Sequence, residues 1–181
     1  PLKQVHETNF LGIVVDDCLS WKSHIQSTCR KLARSIGIFR KVRNHFTRAI
    51  MIRLYNSFIL PYLNYGLTAW GAVNKTSLNS LYVLQKRALK LALKVPMRTS
   101  TNQVFSEAKA LPLHDLYKLY TAIFMFKFSH SLLSSCFKNY FTFNSSNHRH
   151  NTRSASLFRI PLFNTVCEVP YAERSETKPN S

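Results

Sequence analysis

From Trp21 to Phe128, apolar residues return every three or four positions, and a succession of helices is what gathers such residues onto common faces. In the first run Ile25, Cys29, Leu32, Ile36 and Phe39 step by four and three, behind Ser20, which can cap a helix opening at Trp21. Thr47 can cap a second run with Ile50, Met51, Leu54, Tyr55 and Phe58 inward. It ends before Pro61, whose ring and missing N–H oppose continuation. Tyr62–Trp70 is aromatic-rich and reads as a short helix ending near Gly66 or Gly71. A third long run opens at Thr76, sets Leu78, Leu81, Leu84, Ala88, Leu91 and Val95 on one face, and stops at Pro96. Thr101–Ala108 reads as a short helix, and Leu113–Phe128, opened by Pro112, as a fifth helical run. Ahead of the helices, Phe10–Val15 is short, apolar and β-rich, a lone strand or half of a hairpin with Leu2–Val5. From Thr142 the periodicity gives way to Asn, Ser, His and Arg. The expected fold is mainly α: a β element over 1–18, a small helical bundle over 19–141 and an irregular tail over 142–181.

Charge narrows the function. The 181 residues carry 25 Lys or Arg against 8 Asp or Glu. No carboxylate lies between Asp17 and Glu107, a stretch holding 15 Lys or Arg. Such one-signed charge repels itself on folding and makes most sense beside a polyanion. Nucleic acid is the leading partner class and an anionic membrane surface the second. The longest apolar run, around Leu119–Phe126, is far too short to span a bilayer. Four cysteines without paired spacing, and no signal peptide, point to a reducing intracellular setting.

The charges fall in rows. Arg30, Arg34 and Lys41 lie within about 40° of one another on a helical wheel, roughly opposite the first apolar stripe. In the third long run Lys86, Lys90 and Lys94 form an i, i+4, i+8 row with Arg87 beside it. Like charges at that spacing are mildly destabilising, by roughly 0.2–0.5 kcal/mol per pair, and no acid relieves them. A single row of this kind is often only a solvated face. Two rows within an acid-free stretch read as a surface for phosphates, where each contact releases counterions.

At this point the residues resemble a known family. Phe10-Leu11-Gly12, followed by Asp16, Leu19, Trp21 and His24, resembles a segment of the reverse transcriptases of LINE-type (non-LTR) retrotransposons. Leu54 to Gly71 (LYNSFILPYLNYGLTAWG) resembles the next signature, and Leu84-Gln85-Lys86-Arg87-Ala88 resembles an L-Q-K-R-A element. Leu111–Asp115 and Asn151–Ser154 resemble shorter downstream elements, so the ordered likeness runs from about Phe10 to Phe163. The resemblance implies the thumb-like region after the catalytic palm, with residues 1–18 as a post-palm β element. It implies RNA, DNA or an RNA–DNA hybrid as partner, and a nuclear or cytoplasmic ribonucleoprotein as setting; it leaves the oligomeric state open. Mg²⁺ is expected only with the palm, and no cofactor in this chain. The start at Pro1 and the departure of Val166–Ser181 from the family's closing elements lead us to expect a fragment.

Asp16-Asp17 invites a catalytic reading, since two-metal phosphoryl transfer needs converging carboxylates. The pair follows Val14-Val15 rather than an aromatic-Ala dipeptide, and the family register sets it downstream of the catalytic pair. Only Glu7 precedes it as a third acid, and none follows for 89 residues. We therefore expect a turn or helix-entry role and no catalytic residue. Cys136, His148, His150 and Cys167 carry metal-binding atoms at spacings unlike those of a zinc finger, so no metal site is expected. Cys29 reads as a buried thiol. Tyr55, Phe58, Tyr62, Tyr65 and Trp70 have the chemistry to stack on bases, but their helical spacing favours the core. With four glycines there is no phosphate-cradling loop.

Overall fold

A computed structural model describes residues 5–137 together with Tyr140, Phe141, Asn144 and Phe158. It opens on an antiparallel hairpin in which β1 (Glu7–Phe10) pairs with β2 (Ile13–Asp16), Glu7 opposite Asp16 and Phe10 opposite Ile13. The strand read from Phe10–Val15 is thus folded on itself, with Ile13–Asp16 paired to Glu7–Phe10; of the partner read as Leu2–Val5, residues 2–4 lie outside the described residues. The reason is local. Leu11 and Gly12 take φ of 49° and 82°, the paired positive values of a two-residue turn whose twist suits a hairpin.

The helices follow in the order read from the apolar spacing. They are α1 (Lys22–Val42), α2 (Arg48–Phe58), α3 (Leu60–Asn64), α4 (Leu67–Trp70), α5 (Lys75–Ala92), α6 (Thr101–Ala108) and α7 (Leu113–Ser129). Thr47 caps α2 as expected, its hydroxyl accepting the Ile50 amide at 3.4 Å. Three termini differ from the sequence reading. At α1, Asp16 does the capping: its carboxylate accepts the Ser20 and Trp21 amides at 2.7 and 2.9 Å, while the Ser20 hydroxyl stands 3.5 Å from the Lys22 amide. At α5, Asn74 replaces Thr76, accepting the Ser77 amide at 2.8 Å. And α5 ends at Ala92, ahead of Pro96, because Lys94 turns left-handed (φ 57°) and the Val95 amide bonds back to the Lys90 carbonyl. The aromatic segment expected as one short helix is two, α3 and α4, divided at Gly66 (φ 64°).

The core gathers Leu32, Ile36 and Phe39 of α1, Met51 and Tyr55 of α2, Leu63, Leu67 and Trp70, and Leu81, Ala88 and Leu89 of α5. Fully burying one such side chain stabilises by about 1.5–3 kcal/mol. Helix α5 packs most extensively on α1 and also against α2 and α6. In α2 the buried row is Met51, Tyr55 and, just past its end, Ile59, so Ile50 and Phe58, expected inward, are exposed. Two compact units divide between Lys127 and Phe128. In the second, Phe128 meets Phe141 and Phe158 edge-on, with ring centroids 4.9 and 5.7 Å apart. The rest of the tail expected from Thr142 lies outside the described residues.

Candidate nucleic-acid interface

Several residues that carry the family likeness meet in space, where Leu11, His24, Tyr65 and Trp70 dock the hairpin on the bundle. His24 of α1 is buried, and its Nδ1 accepts the Val14 amide at 3.3 Å. Its ring lies 5.4 Å from that of Trp70, which is fully buried and donates its indole N–H to the Tyr65 carbonyl at 2.8 Å. The Tyr65 hydroxyl donates to the Leu11 carbonyl in the hairpin turn at 2.6 Å. At Gly66 a Cβ would stand 2.5 Å from Ile13, and at Gly71 it would stand 2.4 Å from Tyr117. Burial, with Lys31 nearby, holds His24 below the usual imidazole range. A neutral imidazole accepting at Nδ1 carries its proton on Nε2.

Each carboxylate near the hairpin has a partner. Glu7 accepts from the Ser23 hydroxyl. Asp17 pairs with His6 at 2.8 Å, which lowers the acid and raises the imidazole. For Asp16, burial pushes the carboxyl up, but the bonds from Ser20 and Trp21 together outweigh it and hold the group below its ordinary value. These are the contacts of a helix entry.

On α1, Arg30, Arg34 and Lys41 are all exposed on one face, opposite the buried stripe of Ile25, Leu32, Ile36 and Phe39. Among the described residues none of the three has an acidic partner. Nor does Gly37 between them meet anything: a Cβ there would have no neighbour within 4 Å. The face is open. On α5 the expected row is less regular. Lys86 lies over the Tyr82 ring, 4.7 Å from its centroid, and Lys90 donates to the Met97 carbonyl at 2.6 Å. Arg87 is exposed, and Lys94 sits in the left-handed turn after the helix, off the row its spacing implied. Because α1 packs on α5 and buries its apolar stripe, Arg30, Arg34 and Lys41 lie on its opposite, exposed face.

The expectation that the aromatics fill the core holds for two of five. Tyr55 and Trp70 are buried, but Phe58, Tyr62 and Tyr65 are 55%, 41% and 54% exposed. Tyr62 has Lys31 over its ring, 5.9 Å from the centroid. Cys29 is only partly buried, its sulfur 3.5 Å from the Ser80 hydroxyl. Of the soft and imidazole ligands weighed for a metal, Cys136 is exposed, and His148, His150 and Cys167 lie outside the described residues. Among the described residues no helix is long and apolar enough to cross a membrane.

Gln85 is the residue that sequence reasoning missed. It is fully buried, donates to the Leu111 carbonyl at 2.9 Å and the Tyr55 hydroxyl at 3.1 Å, and accepts the Leu113 amide at 2.9 Å. One amide thereby ties α5 to α2 and to the start of α7. The signal was present: Gln85 lies four residues after Leu81 and three before Ala88, within their stripe. Burial pushes the Tyr55 hydroxyl up to about 12.

No family model matches the chain, and no solved structure matches it. Among curated proteins it is 25% identical, over 117 residues, to the RNA-directed DNA polymerase from mobile element jockey of Drosophila funebris, covering 63% of this chain and 13% of that protein. It is 29% identical over 110 residues to the jockey polymerase of Drosophila melanogaster, covering 59% and 12%. To the probable RNA-directed DNA polymerase from transposon BS of Drosophila melanogaster it is 28% identical over 92 residues, covering 49% and 10%. The matched stretch is thus 10–13% of the length of these relatives. The likeness read from the ordered motifs and the likeness found by comparison meet on one family: this chain is similar to a region of the RNA-directed DNA polymerases of LINE-type, non-LTR mobile elements.

Proposed function

We propose that this chain is the part of a retrotransposon polymerase that follows the palm and grips nucleic acid, a thumb-like bundle without catalytic carboxylates of its own. The observation that carries the reading is the open face of α1. Arg30, Arg34 and Lys41 stand exposed, without acidic partners among the described residues, on a helix anchored from behind by its whole apolar stripe. Such cations, held at fixed spacing on a rigid element, suit phosphates rather than base edges, so they favour grip over sequence choice. Lys86, Arg87, Lys90 and Lys94 provide a second, less regular cationic surface on and just after α5. The acids argue in the same direction. Glu7, Asp16 and Asp17 are engaged in holding the hairpin and the entry to α1. On this reading Mg²⁺ and the chemistry it supplies belong to the palm, and the chain works in an intracellular ribonucleoprotein, nuclear or cytoplasmic.

The test is fluorescence anisotropy with an RNA–DNA hybrid in a salt series, with anionic vesicles as competitor. We expect hybrids of unrelated sequence to bind alike and to lose affinity steeply as salt rises. Binding to vesicles in preference to hybrid, or no binding to hybrid at low salt, would contradict the proposal. Primer extension by this chain on an RNA template is expected to be undetectable. Extension that disappears in an Asp16→Asn, Asp17→Asn double variant would restore the catalytic reading of the pair.

A further inference from the structure

The junction of hairpin and bundle forms an open cavity of about 300 Å³, lined by Gly12, His24, Thr28 and Lys31 on one side and by Pro61, Tyr62 and Tyr65 on the other. Its size lies at the lower end of the roughly 300–1,000 Å³ of small-molecule sites, too small for a duplex. The lining holds no carboxylate; its one full charge is Lys31, so it suits an anionic guest and repels a cationic one. Its walls are aromatic, and the two tyrosines differ. Tyr65 is fixed, its hydroxyl bonded to the Leu11 carbonyl at 2.6 Å. Tyr62 is 41% exposed with the Lys31 ammonium 5.9 Å from its ring centroid, so a π-face and a cation share the rim. At the buried side His24 has Nδ1 occupied by the Val14 amide, which leaves Nε2–H as a neutral donor. An aromatic plane, a cation at the mouth and a neutral donor behind match three features that a nucleotide presents: its base face, its phosphate and an acceptor atom on the base.

We propose that this cavity receives one unpaired nucleotide, its base against Tyr62 and its phosphate at Lys31. The inference rests on the nucleic-acid reading above and adds to it a second kind of contact. The face of α1 holds backbone without regard to sequence, whereas the cavity selects an unpaired unit, free or at the end of a strand.

The experiment uses the full chain and two RNA–DNA hybrids of identical sequence, one blunt and one with a single-nucleotide 3′ overhang. Free UMP is the competitor. The overhang is expected to tighten binding about 5-fold to 150-fold, the span that base–aromatic stacking covers. Tyr62→Ala should erase that advantage, Tyr62→Phe should keep it, and Lys31→Ala should reduce it. Far-UV circular dichroism checks the fold of each variant, and should Tyr62→Ala fail to fold, Lys31→Ala decides. Competition by UMP for the overhang advantage identifies the free nucleotide as a sufficient ligand; its absence identifies the strand end, and either supports the cavity. Equal, salt-dependent binding of both hybrids by the parent chain overturns this inference and leaves the backbone grip standing. An overhang advantage untouched in a folded Tyr62→Ala chain likewise overturns it. Failure to bind either hybrid overturns the proposed function itself, and the cavity with it.

Discussion

Gln85 shows how one polar side chain can organise three elements. Its amide meets a hydroxyl on α2, a carbonyl before α7 and the first amide of α7, all within 3.1 Å. A Gln85→Leu chain keeps the volume but strands the buried Leu113 amide, at a cost of about 1–3 kcal/mol for each buried polar group left unpaired. Urea unfolding is therefore expected to show a loss of about 2–4 kcal/mol, and a change below half a kcal/mol would mean that water replaces the glutamine. His24 makes a pH-dependent contribution whose sign is fixed by its environment. Burial holds its folded-state pKa below 6.5, so the unfolded chain takes up the proton first. Stability from this group is complete above 6.5 and falls as pH drops through the unfolded value toward the folded one. Chemical denaturation between pH 7.5 and 5 should show this loss, and a His24→Gln chain should lose less over the same interval. An equal loss in both would assign the effect to other groups.

Helix by helix, the parts that repeat were legible, and the parts that depend on a single contact were legible only in places, as at the Thr47 cap. The stripe of α1 follows from its spacing, because each apolar residue independently gains by facing the same core. Its entry follows only in outline: a turn or helix-entry role is legible in Asp16-Asp17, but Asp16 lies six residues ahead of Lys22 and reaches the Ser20 and Trp21 amides, in place of a Ser20 cap, only because the hairpin brings it there. The same pattern of dependence explains Lys94. Spacing extends a row indefinitely, but the left-handed turn at Lys94 ends α5 early, and Lys90 spends its ammonium on the Met97 carbonyl. Exposed Tyr62 was missed because α3 is too short for periodicity to define a face, and exposed Tyr65 because it lies between α3 and α4, where no helical face exists. The helix-entry role has a direct check. Asp16→Ala removes both bonds and is expected to cost about 1 kcal/mol, the usual value of a helix cap, with no change in hybrid affinity. A large loss of affinity without a loss of stability would instead place Asp16 in the binding surface.

On the proposed reading, stability and grip reside in different residues of the chain. Core burial comes from the apolar stripes, while Arg30, Arg34 and Lys41 contribute repulsion and, among the described residues, have no acidic partner, so their removal is expected to leave the bundle folded. Residues after about Thr142 carry no helical periodicity, and limited proteolysis is expected to cut there first and leave a helical core. A resistant tail would contradict that boundary. The most direct test of the grip is the salt dependence of hybrid binding by a chain carrying Arg30→Ala, Arg34→Ala and Lys41→Ala, with Arg159→Ala, Arg174→Ala as control. Counterion release gives a log–log slope of about −0.9 per phosphate contact on B-form DNA, so the triple variant should flatten the slope by about two to three units. It should weaken hybrids of every sequence alike while the control stays near the parent. A folded triple variant with the parent's slope and affinity would show that the face of α1 is only solvated, and would contradict the account.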